Sequence, residues 1–253
     1  MTTSTNDVYK AVKKATVAIV ATYQNALPKR PFTIVGSGFC IDAEGIVVTC
    51  EHVFKAFVYP GKGNVAPGSP IRMMAPHALF FGGVEGKEVV MHSVSIHNAA
   101  TINGFDLCAA KLTKHPAYAD GYPVLPIADY TELHEMLEIA TCGFPLGEVL
   151  QDQLGTVTSS FTKGMISSVI PAQGVSLKHL RGFQLDLTAT NGNSGGPVFS
   201  LQTGKVFGVL QGGAVHPGTG HAVQGLTKAE PVYPLFADDV LERLRRMRPP
   251  LFK

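Results

Sequence analysis

The chain has 253 residues, of which 45% are hydrophobic and 16% charged, with 27 glycines, 17 prolines and four cysteines. That is enough apolar material for one large or two small cored domains without disulfide staples. A net charge of +2 and a pI of about 8.3 lack the concentrated basic surface of a nucleic-acid binder, and no apolar run approaches the ~20 residues of a membrane span.

In chain order, the first element is a helix, NDVYKAVKKA, with Asn6 in position to cap it. The run ATVAIVATY at 15–23, preceded by Lys10, Lys13 and Lys14, superficially imitates a signal peptide. It is short, broken by threonine and placed after a long polar segment, so it reads as a strand, and the expected location is cytoplasmic. Further strands follow in FTIVGSGFCI, GIVVTC, EVVMHSVSI and DLCAAKL, with a helix-like EHVFKAF after GIVVTC.

The stretch AYADGYPVLPIADYTELHE at 117–135 holds no sustained strand pattern and divides the chain near its middle. Beyond it come MISSVI, FQLDL and KVFGVLQG, and then PLFADDVLERLRRM, a helix with Val240, Leu241, Leu244 and Met247 on one face. Asp238 and Asp239 open that helix and arginines close it, as the helix dipole favours, leaving a solvated end. Short valine- and isoleucine-rich runs with dispersed glycine and proline make this an all-β protein. Its two halves, 1–120 and 121–253, each suit a small closed barrel.

Cys40, Cys50, Cys108 and Cys142 each sit inside an apolar run, with neither a CxxC pair nor zinc-ligand spacing. They read as reduced, buried small hydrophobes, and no metal site or cofactor is expected. A Cys40–Cys50 bridge is the competing possibility.

The densest signal is TATNGNSGGPVFS, Thr188 to Ser200, where Gly192, Gly195 and Gly196 surround Ser194 and Pro197 closes the segment. Glycines let a chain take positive φ and aim its amides at a neighbour. A rigid loop that presents one hydroxyl beside converging N–H groups is what an oxyanion hole requires. Serine needs a base, and the base needs an orienter. Of nine histidines, His52 stands out because it ends the strand GIVVTC and begins a helix. Asp106, in NGFDLCAAKL, is an acid just before an apolar strand.

Taken together, GSGFCIDAEGIVVTCEHV, GFDLCAAKL and TNGNSGGPVF, in the order His, Asp, Ser, resemble the chymotrypsin-like serine peptidases. The likeness is greatest to their bacterial high-temperature-requirement (Deg-type) branch. It extends to CGFPLGE, KGMISSVI and GKVFGVLQGG and so covers the chain from about Asp7 to Arg246. The resemblance implies two six-stranded antiparallel β-barrels with short N- and C-terminal helices and an active site in the cleft between barrels. His52 and Asp106 come from the first barrel and Ser194 from the second. It also implies a Ser194–His52–Asp106 triad, an oxyanion hole of the Gly192 and Ser194 amides, and a protein or peptide substrate.

By the same resemblance, Thr188, six residues before Ser194, lies at the base of the primary specificity pocket. Gly213 and Gly220 form its walls, and Gln211, Gly212 and Gly213 pair with substrate backbone. With no acid at the base, the pocket is expected to favour uncharged aliphatic side chains. Asp186 should face elsewhere.

Some positions depart from the family pattern. Cys50 stands two before His52, Cys108 stands two after Asp106, and Gln211 occupies a place where relatives carry a shorter polar residue. Asn193 replaces the acid that zymogens pair with a new N-terminus, so activation by cleavage is not implied. The sequence ends after the final helix, without the peptide-binding module of many Deg-type proteases. A serine endopeptidase is the leading expectation. A catalytically silent binding barrel and an esterase or acyl transferase using the same triad are the alternatives.

Overall fold

A computed structural model describes residues 5–27, 30–58, 73–86, 88–145, 157–171, 176, 179–219, 222–237 and 239–247. Its twelve strands form two closed six-stranded barrels, every pairing antiparallel.

The first barrel is built from β1 (Thr16–Leu27), β2 (Arg30–Asp42), β3 (Ile46–Thr49), β4 (Met73–Glu85), β5 (Glu88–Thr101) and β6 (Cys108–Leu112), in the spatial order β1-β2-β3-β6-β5-β4. The second comprises β7 (Glu138–Gly143), β8 (Ser160–Ile170), β9 (Gly182–Leu185), β10 (Pro197–Ser200), β11 (Val206–Val215) and β12 (Ala222–Pro231), in the order β10-β11-β12-β9-β8-β7. Closure gives every strand a neighbour on both sides, which is how a chain of short apolar strands limits pairing with other chains. Phe39, Val47, Phe80 and Val94 fill the first barrel, and Ile139, Ile166, Phe183, Phe199 and Phe207 fill the second; all are essentially buried.

Helix α1 (Thr5–Ala15) runs into β1, burying Val8 and Val12, and Thr16 Oγ1 donates to the Val12 carbonyl at 2.8 Å. Helix α2 (Glu51–Val58) starts directly after β3. A 3₁₀ turn over Tyr233–Phe236 leads from the second barrel to α3 (Val240–Arg246), which lies against β3, β5 and β6 of the first. Val240, Leu241 and Leu244 are buried as the sequence pattern requires. Met247 is 44% exposed, because the helix ends at Arg246 and Met247 turns away in extended conformation. Nor is the basic end simply solvated: Arg245 donates through Nε and Nη2 to Asp42 Oδ2 at 2.9 and 2.6 Å, tying the last helix to β2. Asp238 lies outside the described residues. Among the described residues no helix is long and apolar enough to cross a membrane.

Candidate active site

Asp106 is fixed by the turn before β6. Ile102 N–H donates to the Leu107 carbonyl and Phe105 N–H to the Ile102 carbonyl, with Gly104 at φ +80°, so Leu107 drops into the core and Asp106 stands at its rim. Its carboxylate then grips His52 twice. His52 Nδ1 lies 2.6 Å from Oδ2, and the His52 backbone N–H donates to Oδ1 at 2.9 Å. The second bond satisfies one of the amides that every helix leaves unpaired in its first turn, here in α2. The acid therefore caps the helix and orients the ring with one group. Burial works to raise the Asp106 carboxyl. The hydrogen bonds from the His52 ring and backbone, the His52 charge and the Gln211 amide outweigh it and hold the group below its ordinary range. An ionised Asp106 takes the proton of Nδ1 as a hydrogen bond and leaves Nε2 with a lone pair. The His52 side chain is 49% exposed and the Asp106 side chain 17%.

The Ser194 loop packs against the other barrel. Gly192 has φ +95° and Gly195 φ +91°, both in the region that favours glycine. A Cβ on Gly195 would also lie 2.1 Å from the Ser37 carbonyl oxygen. Thr190 O accepts from Asn193 N–H at 3.1 Å, and Asn193 O from Gly196 N–H at 3.0 Å. From the first barrel, Ser37 N–H donates to the Ser194 carbonyl at 2.8 Å. The Leu210 carbonyl receives both Gly195 N–H at 2.7 Å and Cys50 Sγ at 3.3 Å, so the segment carrying His52 and the segment carrying Ser194 share one acceptor. Among the described residues no hydrogen bond joins Ser194 Oγ to His52, and such contacts commonly tighten only when substrate binds.

A family model, the trypsin-like peptidase domain, matches residues 36–209, which include His52, Asp106 and Ser194. The chain belongs to the trypsin-like peptidase domain family. Solved structures similar to this trypsin-like domain include the HtrA-type protease AlgW with a decapeptide and a variant of AlgW with a tripeptide. Both are 17% identical, with TM-scores of 0.59 and 0.60; the alignments cover 96% of this chain and 67% and 64% of theirs. The chain thus spans 64% of the length of the tripeptide-bound variant, and at this identity the likeness shows the fold. No curated protein matches the chain by sequence.

Set in a trypsin-like domain, Gln211 falls at a register shift of β11 between Leu210 and Gly212, an extra residue that pairs with nothing on β12. Such a bulge re-aims its side chain, and the Gln211 amide reaches Asp106. A Cβ on Gly212 would lie 3.8 Å from Ser194 Oγ. Strand β10 pairs with β11 only over Val206–Val209, so residues 211–213 lie beyond it, with Gly212 and Gly213 paired on one side only, to β12.

Thr188 is exposed between buried Leu187 and Ala189. A Cβ on Gly213 would come within 3.3 Å of the Ala189 carbonyl. Thr227, which sequence reasoning passes over, clamps this segment: its buried Oγ1 donates to Leu187 O at 2.6 Å and accepts from Ala189 N–H at 3.3 Å. Asp186 faces elsewhere, since its Oδ1 accepts the Met165 N–H at 2.6 Å. Gly220 lies outside the described residues.

All four cysteines are free and buried, so Cys40 and Cys50 are not bridged. Cys50, His52 and Asp106 each bring one potential ligand atom within 4.8 Å of the others. The chemistry of these three groups does not suit an ion. Burial, then the Asp106 charge, push the Cys50 thiol well above its ordinary value, and a metal would need the thiolate. His52 Nδ1 and Asp106 Oδ2 already satisfy each other.

Proposed function

We propose that the protein is a serine endopeptidase that cleaves through an acyl-enzyme on Ser194. The observation that carries this reading is the double hold of Asp106 on His52, set beside a glycine-bent loop that presents Ser194. Ser194 Oγ attacks the scissile carbonyl carbon and passes its proton to His52 Nε2. The resulting oxyanion takes hydrogen bonds from the Gly192 and Ser194 amides. Collapse of this intermediate expels the amine, which takes the proton back from His52. Water then repeats the cycle on the ester and frees Ser194. Asp106 keeps the ring in the tautomer that can accept and offsets the charge of the imidazolium.

The residue before the scissile bond is read by Thr188, Gly213 and Gly220, and the preference is for uncharged aliphatic side chains. In support, Thr188 carries no charge and Asp186, the nearest acid in sequence, is engaged by Met165. Substrate backbone adds a strand beside Gln211, Gly212 and Gly213, where the ladder is one-sided. The test is labelling by a fluorophosphonate in wild type and Ser194→Ala, with turnover on a peptide library beside simple esters. Labelling and turnover should both vanish in Ser194→Ala. A variant keeping a tenth of wild-type turnover means another nucleophile, and ester turnover without peptide cleavage means an esterase.

A further inference from the structure

Ser37, in the first barrel, makes contacts that neither β2 nor the hydrophobic core requires. Its side chain is fully buried. The Oγ lies 2.6 Å from the Gly192 carbonyl oxygen and 2.9 Å from the Phe144 nitrogen. The Phe144 N–H can only donate, so the single hydroxyl proton of Ser37 is committed to Gly192 O. The rest of the residue is engaged as well: its N–H donates to Ser194 O at 2.8 Å, and its carbonyl accepts from Thr49 Oγ1 at 2.7 Å. One residue of the first barrel therefore holds both ends of the Gly192–Ser194 segment and ties it to Phe144 after β7.

The site needs such a hold. With no Cβ, Gly192 can occupy several backbone conformations at similar cost, so its own geometry does not decide which way its peptide groups point. Its C=O lies in the rigid peptide that leads to Asn193, and its N–H in the one before, joined through a single Cα with φ at +95°, so holding the carbonyl immobilises one of these peptides and restricts the turn of the other. Donors aimed in advance at a developing oxyanion are worth more than donors that must reorganise during reaction.

We propose that Ser37 is a positioning residue that presets the oxyanion-binding amides by hydrogen-bonding the Gly192 carbonyl, so that the hole stands formed before substrate arrives. This rests on the reading that Gly192 and Ser194 supply those amides. Ser37 touches no reacting atom. Its effect belongs to the transition state and not to substrate binding.

The test compares Ser37→Ala with wild type in two ways. In steady-state kinetics on one peptide, kcat should fall by about 10² while KM stays within about threefold, the lower end of what losing a whole oxyanion donor costs. Ser37→Cys, which keeps a weaker donor of similar size, should fall between the two and stands in if the alanine variant does not fold. In nitrogen-15 relaxation dispersion on the resting protein, exchange broadening at Gly192 and Asn193 should appear in the variant and be absent from wild type. The kinetic idea is overturned by a kcat within twofold of wild type, or by a loss confined to KM. The preset-loop idea is overturned by unchanged dispersion, a measurement that holds even if Ser194→Ala shows the peptidase reading to be wrong.

Discussion

Cys50 and Leu210 meet across the two barrels, the thiol Sγ donating to the Leu210 carbonyl at 3.3 Å beside the Gly195 N–H that binds the same oxygen. The thiol thereby serves as a small buried donor at the base of the site. Burial pushes it well above its ordinary value and pushes Cys40 and Cys108 up to about 12 and Cys142 up to about 11. Iodoacetamide at pH 8 should therefore leave the native protein unmodified and add four groups after denaturation, read by intact mass. Fast alkylation of the folded protein would contradict the burial of these thiols.

Asp106→Asn tests the orienter. The amide can still accept from the His52 backbone N–H, so the helix cap survives and the fold should hold. Its NH₂ group favours the opposite imidazole tautomer, in which Nε2 carries the proton and cannot act as base. In a triad of this type the loss in turnover is about 10⁴. Near-full activity with an unchanged melting temperature would remove Asp106 from the chemistry.

A second acid sits beside the first and gives stability a pH signature. Burial, then the charge of Asp106, raise the half-buried Glu230 carboxyl from its ordinary value of 4.5 to about 7. A raised carboxyl favours the folded state while protonated. Its contribution is thus complete below about 4.5 and is lost as pH climbs to about 7. Asp106 runs the other way: held below its ordinary range, it stabilises above that range and loses this as pH falls through its folded value. Glu230→Gln has no proton to lose, so its melting temperature relative to wild type should rise between pH 4.5 and 7 and level off above. A difference independent of pH would mean that Glu230 does not titrate in this range.

The double barrel and the triad candidates were legible because their chemistry is local. The loop around Ser194 needs glycine at 192 and 195 for positive φ, and a strand that ends in a helix marks His52. Less local features left no comparable trace. Strand β4, MMAPHALFFGGVE, carries Pro76 and two glycines at its bulge, and β12, AVQGLTKAEP, mixes glycine and charge, so neither shows a clean alternation. Ser37 looks like a small residue between two glycines. Its role depends on Gly192, 155 positions away, and no period or spacing encodes that. The aim of Gln211 likewise depends on a bulge, which is a property of two strands together. Thr227 reads as one polar residue in a mixed strand until Leu187 and Ala189 are brought to it.

Thr227 pins Leu187 and Ala189 on either side of Thr188, so the Thr188 side chain is held in place with no charge to offer a substrate. Asp186 is satisfied by the Met165 N–H, and turning it toward Thr188 would leave that amide unpaired. Cleavage-site mapping on an unfolded protein should therefore show an excess of cuts after Val, Leu and Met. Discrimination among them should be shallow, because one methylene in an apolar pocket is worth only about 1–3 kcal/mol. Thr188→Asp would place a carboxylate where none stands and should shift cleavage toward Lys and Arg, as an acid facing the pocket selects a cation. Wild-type cuts concentrated after Lys, Arg, Asp or Glu, or a Thr188→Asp variant with an unchanged cleavage pattern, would mean that Thr188 does not line the pocket.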